Sequence, residues 1–60
     1  MSSVYNPEAD IIAEIERREL EVRELRRRVE HARNEADKRV LNKQIEELRT
    51  EIEHLRARIK

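Results

Sequence analysis

From Leu41 onward the apolar residues recur at alternating spacings of four and three: Leu41, Ile45, Leu48, Ile52, Leu55 and Ile59. Written as a heptad, every a position is isoleucine and every d position is leucine, the combination that favours parallel two-stranded coils. A sustained 3.5-residue period suits a helix packed on another helix. An earlier series follows the same rule, with Ile15, Val22, Val29 and Ala36 at a and Ile11, Leu25 and Ala32 at d. Arg18 takes the remaining d position. A charge there costs stability but can select register or oligomeric state, and its long stem can also carry the guanidinium out to Glu14 or Glu19.

Composition closes off the other fold classes. The 60 residues include no glycine, cysteine, tryptophan or phenylalanine, one proline (Pro7) and one aromatic residue (Tyr5), while 47% are charged. A chain this short is marginal as a globule even with a normal core, and it has no large side chains to fill one. Without cysteine there is neither a disulfide staple nor a thiolate metal site. Without glycine, tight β-hairpins are disfavoured. The fold class expected is therefore all-α.

The helix start is well marked. Asn6 is a good capping residue, Pro7 fits the first helical position, and Glu8 and Asp10 complement the positive helix terminus. Residues 1–6 are read as a flexible N-terminal tail, 7–36 as a first coiled-coil segment, 37–40 as a heptad phase break and 41–60 as an Ile/Leu zipper. The pairs Glu14–Arg18, Glu19–Arg23, Glu24–Arg28 and Glu35–Arg39 all place the acid four residues before the base, the better orientation on a helix. The heptads reach Ile59 and Lys60 without a stop signal, as in a coil that continues.

The two heptads do not join. Continuing the first predicts d at 39, whereas the second has d at Leu41. Two residues turn a helix by about 200°, so a straight helix would carry its two stripes on nearly opposite sides. The expected architecture is one long helix of about 53 residues, roughly 80 Å, in a coiled coil, with residues 41–60 as a parallel dimer. There Glu51 and Arg56 of the partner form a favourable g–e′ pair. The alternative is a helical hairpin in an antiparallel four-helix bundle, turning near 31–38 with Asn34 as the N-cap of a second helix. Residues 35–39 are mostly good helix formers with no glycine or proline, which favours the continuous helix.

Fourteen bases balance fourteen acids, so no field of one sign draws the chain to nucleic acid or membrane. Residues 1–30 hold eight acids and six bases (−2) and residues 31–60 six acids and eight bases (+2), a mild dipole that leaves the orientation of the N-terminal half open. Arg23, Arg26, Arg27, Arg28, Arg33, Lys38 and Arg39 upstream of the zipper resemble the bZIP arrangement, which would imply DNA binding. The family's asparagine is followed three and four positions on by paired small residues, whereas Asn34 is followed there by Asp37 and Lys38. Glu24, Glu30, Glu35 and Asp37 would face phosphates. Glu51 and His54 have the (i, i+3) spacing of bundle metal sites but fall at outward g and c positions. The hydroxyls of Ser2, Ser3, Thr50 and Tyr5 have no His–carboxylate partner set, so no enzyme, cofactor or metal is expected.

The function expected is coiled-coil oligomerisation, a scaffold module acting by self-association. The interface would be Ile11, Ile15, Val22, Leu25, Val29, Ala32, Ala36, Leu41, Ile45, Leu48, Ile52, Leu55 and Ile59. The partner is a second copy, as a homodimer or a tetramer. A helix of a different protein is the alternative partner, and bZIP-like DNA binding the remote one. With no signal-peptide apolar region, membrane span or cysteine, an intracellular location is expected.

Overall fold

The computed structural model describes residues 6–59. Residues 1–5 of the expected tail lie outside those residues, as does Lys60. Two helices account for nearly all of the described chain: α1, Pro7–His31, and α2, Glu35–Ala57. They pack against each other along one seam, and no strand occurs among the described residues. No helix is long and apolar enough to cross a membrane among the residues described.

The single long helix expected from residues 35–39 is thus replaced by two helices folded back on each other, with overall extents of 54 × 22 × 11 Å. The break lies at 32–34, ahead of the heptad discontinuity at 37–40, which falls inside α2. Asn34 makes the break. Its backbone is extended (φ −127°, ψ 160°), its Oδ1 accepts from the Asp37 N–H at 2.8 Å, and its Nδ2 donates to Asp37 Oδ2 at 3.2 Å. That places a strong N-cap and a first-turn acid at the positive end of α2. Ala32 is also extended (φ −68°, ψ 137°), and no described residue has a positive φ. The reversal uses ordinary β-region backbone, so it needs no glycine.

The start of α1 follows the expected pattern. Asn6 Oδ1 accepts from the Glu8 N–H at 3.0 Å, and Pro7 opens the helix. Asn6 is therefore the N-cap of α1.

Reversal also resolves the phase offset. The seam positions are mirrored about residue 35: Ile11 with Ile59, Ile15 with Leu55, Arg18 with Ile52, Val22 with Leu48, Leu25 with Ile45, and Val29 with Leu41. Each of these residues is buried or half-buried. In a straight helix the stripes would diverge; folded back at 32–34, they share one core. Ile15, Val22, Leu25, Ile45, Ile52 and Leu55 are buried, with Ile11, Val29, Leu41, Leu48 and Ile59 packed against them.

Candidate interaction surface

Eleven of the thirteen residues expected at an oligomer interface lie in this intrachain core. Of the other two, Ala32 is half-buried at the C-cap of α1, while Ala36 is exposed in the first turn of α2. Ala36 belongs to the first heptad by number alone. The chain has already reversed before reaching it, so the first stripe ends at Ala32. Lys38 holds the next seam position instead: it lies three residues before Leu41, is half-buried and pairs with Glu35 at 3.8 Å. Counting the second heptad back from Leu41 would have found it.

Arg18 is the one charged side chain at a central seam position. Its Nη1 donates to the Glu14 carbonyl oxygen at 3.3 Å and stands 4.0 Å from the Glu14 carboxylate, while its Nε donates to Glu51 Oε1 at 3.5 Å. A basic residue thus sits between acids from both helices. Of the two acids considered for it on α1, Glu14 is used. Glu19 instead accepts from Arg56 Nη2 at 2.7 Å on the other side of the seam. The expected g–e′ partner for Arg56 in a parallel dimer, Glu51, is engaged by Arg18 here.

These pairs define two long faces flanking the seam. One carries the e positions: Glu19, Arg26, Arg49 and Arg56, with Arg23 and Glu53 beside them, over a floor of Val22 and Ile52. The other carries the g positions: Glu21, Gln44 and Glu51, with Glu47 beside them, over Leu25 and Leu48. The acidic groove is lined by no basic residue. On the e face, Arg26 and Arg49 share a groove with Glu30 and Glu46, although among the described residues no carboxylate lies within 4.0 Å of either arginine. The e face therefore mixes four arginines with Glu19, Glu30, Glu46 and Glu53, and the acidic groove emerges only once the antiparallel register is known.

The basic residues upstream of the zipper are dispersed by the fold. Arg23 and Arg26 lie on the e face, Arg28 lies on the other side near Asp37, and the chain reverses before Lys38 and Arg39. A bZIP basic region, by contrast, runs as one helix into its zipper. Glu51 and His54 are both exposed, with Glu51 committed to Arg18. Among larger apolar side chains of the described residues, Ile12 (44%), Leu20 (61%) and Val40 (58%) remain exposed.

No family model matches this chain, and comparison with curated proteins and with solved structures returned no match.

Proposed function

We propose that the chain is a helical association module, a hairpin whose work is to join further helices by self-association. The supporting observation is the thinness of its core. Among the described residues six apolar side chains are buried, all between 6% and 8% exposed, and none is covered below 2%. Two helices sharing one seam shield that seam from only two sides. A chain below about 70 residues seldom gains more than 3–5 kcal/mol from one core, and additional helices are the usual remedy when disulfides and metals are absent.

Between a continuous-helix parallel dimer and a bundle of hairpins, the mirrored seam favours the bundle. The dimer would leave one stripe unpartnered on the far side of each helix. Four helices from two hairpins would cover one open side of each seam. A heterologous helix is the second reading, favoured by Leu20, which stands 61% exposed on the outer side of α1.

The test is solution mass and thermal unfolding across a concentration series of about 10 to 500 µM, because folding linked to association makes the melting temperature rise with concentration. A mass above 7.3 kDa with a rising midpoint supports the reading. A monomer with a concentration-independent midpoint overturns it.

A further inference from the structure

Resting on the self-association reading above, we infer that two copies meet through their e faces about a two-fold axis parallel to the helices. Each α1 then lies against α2 of the other copy, and both turns stand at the same end. The occupant of the Val22–Ile52 groove is thus the same groove of a second copy. Arg23 and Glu30 of α1 and Glu46 and Arg49 of α2 line this face and are exposed. Among the described residues none of these four has an ion-pair partner in its own chain. Arg39, exposed one heptad before Glu46, continues the same edge and has no such partner either.

The order of charges selects both the face and the direction of the axis. The mirror about residue 35 sets each α1 residue level with the α2 residue equally far from 35. A two-fold axis parallel to the helices keeps those levels and presents α1 to the second copy's α2. Along the outer edge of the contact, Arg23 comes level with Glu46 of the second copy, and Glu30 with Arg39. Nearer the axis, Glu19 comes level with Arg49. Each match holds to within two residues, or about 3 Å. Glu16 with Glu53 is the single like-charged match along the outer edge. An axis across the helices lays α1 on the second copy's α1 instead. At full overlap Arg23 then meets its own equivalent, Glu16 meets Glu30, and Glu46 lies beside its own equivalent. The opposite groove offers no counterions, since Glu21, Glu47 and Glu51 have no base among the residues that line it. Stacking the e faces shields the Val22–Ile52 floor and the adjoining Val29–Ile45 floor of both copies. It leaves the acidic grooves outermost, and the assembly closes at two copies.

The experiment uses the full chain with Arg23→Glu, with Glu46→Arg and with the two combined, followed by sedimentation equilibrium, helicity being recorded at the highest concentration of each. Both positions are exposed, so the core is untouched. Either single substitution sets two like-charged contacts in the dimer and is expected to weaken association about fivefold or more. The combined variant restores both contacts with their signs exchanged and is expected to associate within about threefold of the parent. A spin label on Arg33→Cys, beside the turn, should give an interchain distance below about 25 Å, against about 30 Å or more for turns at opposite ends. Single variants that associate like a self-associating parent, a combined variant as weak as the single ones, the longer label distance, or assembly past two copies would each overturn this pairing while leaving self-association in place. A parent that is monomeric throughout overturns both.

Discussion

Glu19 and Arg56 stand 37 positions apart in sequence, and their side chains meet at 2.7 Å. On one continuous helix those positions would be separated by about 55 Å. The pair joins the middle of α1 to the last turn of α2 and so marks the antiparallel register, as Arg18 with Glu51 does on the other side of the seam.

The Glu19–Arg56 pair itself contributes little stability. Both side chains are well exposed, at 40% and 62%, and surface pairs of this kind are typically worth 0–1 kcal/mol. A double-mutant cycle with Glu19→Gln and Arg56→Gln is expected to give a coupling of about 0.5 kcal/mol that fades in 1 M salt. A coupling several times larger would place the pair in a drier setting than this surface provides.

Arg18 is predicted to be a costly residue. It occupies a seam position facing Ile52, with its charge answered only at the margin by Glu14 and Glu51. Arg18→Leu should raise the urea midpoint, adding about 1 kcal/mol, because apolar burial outweighs partly solvated ion pairs. A lower midpoint would show the arginine network to be the stronger contribution.

Core truncations should hurt both helices alike. Leu25→Ala and Ile52→Ala each remove a side chain that is 7% exposed, and each is expected to cost about 2–4 kcal/mol. Ala36→Ser, on the exposed first turn of α2, should change stability by less than about 0.5 kcal/mol. Denaturant unfolding of the three variants at one protein concentration checks the contrast.

Asn34 is the residue on which the reversal turns. Asn34→Ala removes the side-chain acceptor for the Asp37 N–H and should cost about 1 kcal/mol, whereas Asn34→Gly should cost only a few tenths. Equal losses would mean that the missing side-chain acceptor sets the whole cost and glycine's backbone freedom offsets none of it.

Much of this was readable from residue order. The cap at Asn6 and Pro7, the helical class and the seam from Ile11 to Val29 and from Leu41 to Ile59 all follow from spacing and capping chemistry. The turn was harder to read, because it depends on one asparagine and on extended backbone at Ala32 and Asn34 that any residue can adopt. Good local helix formers at 35–39 point to continuity, but they describe the first turn of α2 equally well. The stronger signal was long-range. A two-residue slip in heptad phase looks like a defect in a straight helix, yet the mirror about residue 35 makes it the condition for folding back. The acidic groove was hidden for the same reason, since Glu21, Glu47 and Glu51 come together only in the antiparallel register.

The seam, the grooves beside it and the proposed association all depend on the chain reversing at 32–34. Spin labels at Ile12 and Arg58, both exposed and equally distant in sequence from residue 35, read that reversal directly when a labelled chain is diluted in excess unlabelled chain. The hairpin predicts an intrachain distance below about 30 Å, since packed helix axes lie 8–10 Å apart. A distance near 70 Å, the span of 46 residues of unbroken helix at about 1.5 Å each, would contradict it.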